Sequence, residues 1–494
     1  MKTAVRVLLV LGVVAAAGAL LVARQKPAAG PARPAAPPNI VVILMDDLGW
    51  ADIQPYGSAF YETPAIARLA KQGVRFTNYY AAGSVCSPTR ASLWTGKYPA
   101  RLGITDWIGG NDTGLVKPPP NVERLPLAEY TVAEAFRDAG YSTGYIGKWH
   151  LGVDEFMPGN QGFTFTKAVN RAGQPAAYFY PYKDDAWEAV NVPDLADGKP
   201  GEYLTDRLTD EAVKFIDAHR SRPFLLVVAH YAVHTPLQAK PDLVTKYKEK
   251  ATRLFPDGVA PRRPEHTAFT RTRQDHPTYA GMIGSMDDSV GRIQAALEAA
   301  GLARSTMVVF TSDNGGLSTL GSAKSNPPTS NEPLRAGKGW LYEGGIRAPL
   351  IISGPGVTGS GRVESVPVIS TDLYPTLLGL AGVPPRPAQH LDGLDMAPVL
   401  RGRAAPVRDA LYWHFPHYHG SGSKPSSAIR AGDWKLIEWL EDGKVELYNL
   451  TDDPSETDDQ AAAQPRTAAA LTARLHKWRA DVGAKMPAPG GEKK

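Results

Sequence analysis

The residues with most scope for chemistry fall in short clusters: Asp46-Asp47, Cys86 with Arg90, Lys148 with His150, His234, and Asp313-Asn314 followed by Lys338. Cys86 is the only cysteine in 494 residues, so the thiol is structural, reactive, or the starting material of a modification. Taken alone, such a cysteine reads as a small buried apolar residue. Its neighbours argue for more. Pro88 and Thr89 set Cys86 at the entrance of a helix, where free backbone N–H groups favour negative charge, and Arg90 adds a permanent cation one turn on. Asp46, Asp47, Asp313 and Asn314 all offer oxygen, which suits a hard cation such as Ca²⁺ or Mg²⁺ better than Zn²⁺. Either pair alone would read as turn chemistry. Both stand just past an apolar run, and together they read as two halves of one site. Lys148, His150 and Lys338 in isolation read as a snorkelling lysine, a hydrogen-bonded histidine and a solvated lysine.

These side chains need elements that bring them together. Residues 39–44 form a continuous apolar run, the pattern of a strand buried on both faces, and similar runs occupy 141–146, 224–230 and 307–311. Helical signals alternate with them: Thr63-Pro64 up to Gly73, a capping box at Thr131–Glu134 leading to Gly140, and periodic stretches at 206–220 and 282–300. The alternation predicts an α/β fold, a large mostly parallel sheet flanked by helices on both faces, with ligands at the C-terminal ends of the strands. From about residue 409 the texture changes to paired antiparallel strands at 428–440 and 444–450 and a helix at 465–482, a small α+β unit. Pro-, Gly- and Ser-rich stretches at 321–333 and 419–427 read as surface loops near a pocket rim. The aromatic and histidine cluster at 412–419 fits either sugar stacking at that rim or packing between the two units.

Hydrophobic residues make up 43% and charged residues 21%, ordinary globular values. A net charge of +4 without a basic run excludes nucleic acid as the expected partner, so an anionic substrate must be met by local cations. Lys2 and Arg6 precede an apolar run over 7–23 with Ala15, Ala17 and Ala19, which reads as a signal peptide or N-terminal anchor over 1–24. A Pro/Ala-rich linker over 25–38, a catalytic domain over 39–405, the α+β unit over 406–486 and a disordered tail over 487–494 complete the expected organisation. The protein is then exported, periplasmic or secreted, and any membrane contact runs through the N-terminal segment.

The run Cys86-Ser87-Pro88-Thr89-Arg90, with Thr95-Gly96 beyond it, resembles the signature of the sulfatase family, a branch of the alkaline-phosphatase-like superfamily. Gly147-Lys148-Trp149-His150-Leu151-Gly152, His234-Thr235-Pro236 and Gly337-Lys338-Gly339 extend the resemblance through residue 345. The resemblance implies that Cys86 is oxidised to formylglycine by a partner, a formylglycine-generating or anaerobic sulfatase-maturating enzyme. It also implies that Asp46, Asp47, Asp313, Asn314 and the modified Cys86 hold Ca²⁺, with Mg²⁺ second. Asn314 stands where two-metal relatives in the superfamily usually carry His, which favours one hard ion. By the same resemblance Lys148 and Lys338 bind sulfate oxygens, Arg90 holds the aldehyde hydrate, His150 assists release of sulfate, and His234 protonates the departing oxygen. The implied substrate is a small sulfate ester, above all a sulfated sugar attacked at a chain end, with aryl sulfates as stand-ins. Two alternatives fit the same residues: a phosphoester or phosphonate hydrolase on this scaffold, and a carbohydrate-binding protein in which Cys86 stays a thiol.

Overall fold

The computed structural model of the chain describes residues 37–490 apart from 259, 260 and 323. The expected signal segment over 1–24 and all but the end of the linker lie outside the described residues. Among the described residues no helix is long and apolar enough to cross a membrane.

The apolar runs assemble into one eight-stranded sheet in the order Arg362–Glu364, Val74–Phe76, Leu350–Ser353, Thr306–Ser312, Asn39–Met45, Phe224–Ala229, Ser142–Gly147, Phe165–Lys167. Seven strands run parallel; Leu350–Ser353 alone is reversed, pairing antiparallel on both sides. Asn39–Met45 lies near the middle and is buried along its whole length. Its alternate side chains serve two cores. Val41, Ile43 and Met45 pack with Ile66, Phe215, Met286 and Val290 on one face. Ile40, Val42 and Leu44 pack with Leu93, Trp94, Phe136 and Leu377 on the other. Burying each such side chain contributes about 1.5–3 kcal/mol, so the continuous apolar run is what two covered faces require. Helices Pro64–Gln72, Leu204–Ala218 and Pro277–Ala299 cover the first face; Cys86–Thr95, Val132–Asp138 and Leu373–Ala381 cover the second.

The C-terminal part is a four-stranded antiparallel sheet, Leu411–Phe415, Ser426–Ala431, Trp434–Trp439 and Val445–Asn449, packed against the helix Pro465–Asp481. Two expectations change here. The stretch 428–440 is two strands rather than one, because Gly432, at φ +58°, turns the chain between them. Ala488–Pro489, expected within a disordered tail, pair antiparallel with Val116–Lys117.

The capping box is formed as the sequence predicts. Thr131 Oγ1 accepts from the Glu134 N–H at 3.2 Å, and Glu134 Oε2 accepts from the Thr131 N–H at 2.7 Å. Thr131 is fully buried and its hydroxyl also donates to the Gln161 carbonyl at 2.6 Å. Thr131→Ala removes the cap and strands that carbonyl, so stability should fall by about 1–2 kcal/mol, read as a lower urea midpoint, with Thr131→Ser retaining most of it.

Candidate active site

Four neighbouring parallel strands end at one level. Met45 pairs with Ser312, Leu44 with Ala229, and Ala229 with Gly147. The residues that follow each strand therefore leave the sheet along a common edge: Asp46-Asp47, Asp313-Asn314, the segment 230–234, and Lys148 to His150. Backbone bonds fix that edge, with the Asp313 N–H donating to Met45 O at 3.2 Å, Lys148 N–H to Ala229 O at 2.8 Å and Val233 N–H to Asp46 O at 2.7 Å. Gly147 is needed at its position: at φ +97° a side-chain Cβ would lie 2.0 Å from the Ala229 carbonyl oxygen.

The helix Cys86–Thr95 aims its first turn at the same edge. All ten of its residues are buried, so its polar side chains, Ser87, Thr89, Arg90, Ser92 and Thr95 among them, face protein rather than bulk water. Arg90, fully buried, donates from Nε to Asp313 Oδ2 at 2.8 Å and from Nη1 to the Lys148 carbonyl at 2.6 Å, while Nη2 lies 4.0 Å from Asp46 Oδ1. Lys148 Nζ donates to Asp46 Oδ2 at 2.6 Å. Lys338 Nζ reaches Asp47 Oδ1 at 2.7 Å and Oδ2 at 2.9 Å, and Asn314 Nδ2 donates to Asp47 Oδ1 at 2.8 Å. Three carboxylates and three cations thus share one buried cluster at the strand ends. Asp46 Oδ1, Asn314 Oδ1 and Arg90 Nη2 are buried there without a hydrogen-bond partner. The oxygens Asp46 Oδ1 and Asn314 Oδ1, beside two further carboxylates, suit a hard cation. Asp46, Asp47 and His234 also bring potential ligand atoms within 4.8 Å of one another.

Burial and pairing set the protonation states. Burial drives Asp46 up, past the opposing effect of Lys148, and Asp313 and Asp47 add to the rise. Burial acts the same way on Asp47, but Lys338, His234, Lys148 and the Asn314 amide together hold it below the usual carboxylate range. Both pocket histidines are driven well below their ordinary value, His150 by burial and Lys148, His234 by burial and Lys338. Each neutral ring has an assignable tautomer. His150 Nε2 lies 3.0 Å from the Ile108 carbonyl and must carry the proton, leaving Nδ1, 3.4 Å from Cys86 Sγ, as an acceptor. His234 Nδ1 lies 2.9 Å from the Thr235 carbonyl and is the donor, which leaves Nε2 toward Asp47 Oδ2 at 3.7 Å. His230, a competitor by sequence, pairs instead with Ser289 Oγ at 2.9 Å and takes no part in the cluster.

Residues 38–383 match the sulfatase family, and residues 336–481 match the C-terminal domain of N-sulphoglucosamine sulphohydrolase. The chain belongs to the sulfatase family. A sulfatase of Formosa agariphila is 35% identical over 87% of this chain and 85% of its own length. The N-acetylgalactosamine-6-sulfatase of Mus musculus is 34% identical over 82% of this chain and 72% of its own, and human arylsulfatase A is 33% identical over 81% and 75%. Among solved structures, Ps i-CgsB in complex with k-i-k-neocarrahexaose superposes with a TM-score of 0.72 at 32% identity, covering 90% of this chain and 92% of that one.

In this sulfatase the cluster forms the floor of a cavity of about 670 Å³, to which Asp47, Cys86, His150, His234 and Lys338 contribute. Its walls come in part from residues that no motif marked, Trp107 to Gly109, Arg171 to Gln174 and Trp187, and in part from His419 to Ser421, the start of a loop expected near the pocket rim. The cluster at 412–419 is divided. Trp413 is buried and donates from Nε1 to the Ala81 carbonyl at 2.8 Å, Phe415 is buried, and Tyr412 stacks on Trp478 of the helix Pro465–Asp481 at 4.8 Å. His419 alone of that run lines the cavity. Its signal was composition without spacing. Ser87 is a further positioning residue; it donates to the His150 carbonyl at 2.9 Å and accepts from the Ile108 N–H at 3.0 Å.

Removing one member of a buried ion pair leaves the other uncompensated. Arg90→Met should therefore cost about 3–5 kcal/mol, seen as a fall in the denaturation midpoint, and Arg90→Lys should recover only part because one ammonium cannot span Asp313 and the Lys148 carbonyl together.

Proposed function

We propose that this sulfuric ester hydrolase removes sulfate from sulfated sugars, with residue 86, oxidised from cysteine to formylglycine, as its nucleophile. The observation that carries the reading is the cysteine at the start of a buried helix, set on the cavity floor beside two lysines, two histidines and the carboxylates Asp46 and Asp47. The names of the relatives and the neighbour in complex with k-i-k-neocarrahexaose support a sugar as the leaving group. A formylglycine-generating or anaerobic sulfatase-maturating enzyme would supply the modification, and the N-terminal segment would direct export to the periplasm or beyond.

As formylglycine, residue 86 supplies an aldehyde hydrate, one hydroxyl to attack sulfur and a second through which sulfate is later expelled. Asp46, Asp47, Asp313, Asn314 and residue 86 would hold a hard ion, Ca²⁺ ahead of Mg²⁺, which would supply positive charge to the sulfate oxygens. Lys148 and Lys338 orient and neutralise the sulfate from the floor. Arg90 Nη2, without a hydrogen bond in the cluster, steadies the oxygen of residue 86. His150 Nδ1, a lone-pair acceptor facing residue 86, takes a proton there. His234 serves the leaving oxygen from Nε2, and an anion bound beside it offsets the burial and the Lys338 repulsion that keep the free ring neutral. The cavity walls exclude water while the sugar is held. Residues 39–405 form the catalytic domain on this reading, and 406–486 a smaller unit that adds His419 to the pocket.

Protein made with its maturation enzyme should be lighter at residue 86 by about 18 Da, the mass fixed by replacing the thiol-bearing carbon with an aldehyde. Cys86→Ala should lower turnover of an aryl sulfate by on the order of 10⁴-fold or more; an active protein with an unshifted Cys86 would sink the mechanism. Chelator should abolish activity and added Ca²⁺ restore it, and Asn314→Ala should raise the Ca²⁺ concentration needed by about tenfold or more. An aryl phosphate turned over faster than the matching aryl sulfate would assign the site to phosphorus instead.

A further inference from the structure

Lys338 stands at the cavity floor with Lys148 and Arg90 buried beneath it, and the mouth carries two carboxylates. Among the residues lining the cavity, Asp112 and Glu123 contribute carboxylates above the floor, and no ion pair to either occurs among the described residues. Glu123 is held in place by backbone and amide donors, with the Gly109 N–H bonding to Oε2 at 2.8 Å and Asn121 Nδ2 to Oε1 at 3.1 Å. The one cation in the wall, Arg171, is engaged by Asp154 through two contacts, at 2.6 and 3.2 Å. A second anionic group on a substrate would therefore meet uncompensated carboxylates rather than a free guanidinium. The same wall carries Trp107 and Trp187, and Trp187 is 51% exposed, a large apolar ring left open at the rim. Exposed indole faces bind the C–H faces of neutral sugar rings and gain nothing from extra charge.

We propose that the mouth selects a sugar whose only anionic group is the sulfate being removed, a neutral hexose or N-acylhexosamine monosulfate, with Trp107 and Trp187 as the ring platform and Asp112 and Glu123 as the elements that reject a second sulfate or a carboxylate. The proposal rests on the sulfatase reading above. Rejection by like charge is the repulsive half of specificity, and it weakens with salt where attraction by shape does not.

The test uses Ca²⁺-loaded Cys86→Ala protein, which binds without turning over, and titrates it calorimetrically with a methyl hexoside monosulfate and the corresponding disulfate. At low ionic strength the monosulfate should bind about tenfold more tightly. The gap should shrink to about twofold in an Asp112→Asn/Glu123→Gln background, and likewise at about 0.5 M salt. A merely structural role for the two acids would weaken both ligands together and leave the ratio unchanged. Disulfate binding as tightly as monosulfate, or a gap that survives both the substitutions and the salt, overturns the inference. Matured wild-type protein assayed on an aryl sulfate separates the two failures: turnover without discrimination defeats only the selectivity, while no turnover defeats the sulfatase reading as well.

Discussion

Asp46 and Asp313 are fully buried and Asp47 nearly so, beside Arg90, Lys148 and Lys338. A single unpaired charge in that position would cost several kcal/mol, and each pair is tolerable only at close range with its remaining donors and acceptors used. That requirement constrains the architecture around it. Side chains from residues 46 to 338 must arrive within hydrogen-bond distance, and parallel strands in fixed register are what deliver them, since a one-residue slip would turn each acid into the core. Burial of Asn39–Met45 on both faces makes such a slip expensive.

Lys148 follows a sheet strand and Arg90 rides on the helix Cys86–Thr95, whereas Lys338 lies outside any described helix or strand, and a separate clamp holds it. Glu343, a few residues on, accepts from Lys435 Nζ at 2.9 Å with both side chains fully buried, and its backbone N–H donates to Glu456 at 2.6 Å. Arg335, just before, binds Glu265 at 2.7 Å and the Glu456 carbonyl at 2.7 Å. Gly339 adopts φ +88°, and a Cβ there would meet His419 Nδ1 at 2.4 Å. Lys435, Glu456 and His419 all belong to the C-terminal part. The antiparallel sheet is thereby tied to the charged cluster: it fixes the loop that carries a floor lysine, and the C-terminal part contributes a wall of the cavity.

Much of this was legible beforehand because burial writes itself into composition. The central strands announced themselves as unbroken apolar runs, and the acids just past them followed from strand-end chemistry. Val74–Phe76, Leu350–Ser353, Phe165–Lys167 and Arg362–Glu364 did not, because three or four residues carry too little periodicity to stand out, and their pairing is decided by neighbours far away in the chain. The same limit explains the missed walls. Trp107, Arg171 and Trp187 lie in irregular segments where no spacing rule links residue type to position, and only tertiary folding brings them to one cavity. For 412–419 composition could not separate the two readings, because aromatic residues suit a core and a sugar equally; burial separates Trp413 from His419.

Floor and mouth are therefore held by different physics. The floor is fixed by charges that cannot be left unpaired and by backbone bonds at strand ends, so a change in any member propagates to several others. The mouth is built from exposed loops, where a substitution costs little stability because its side chains already face water. Chemistry common to a family can stay constant below while the charge and shape above are free to change, and selectivity belongs to the residues that burial does not constrain. Trp187 and Asp112 illustrate the point: both are exposed, neither is tied into the core, and whatever they contribute they contribute to the ligand rather than to the fold.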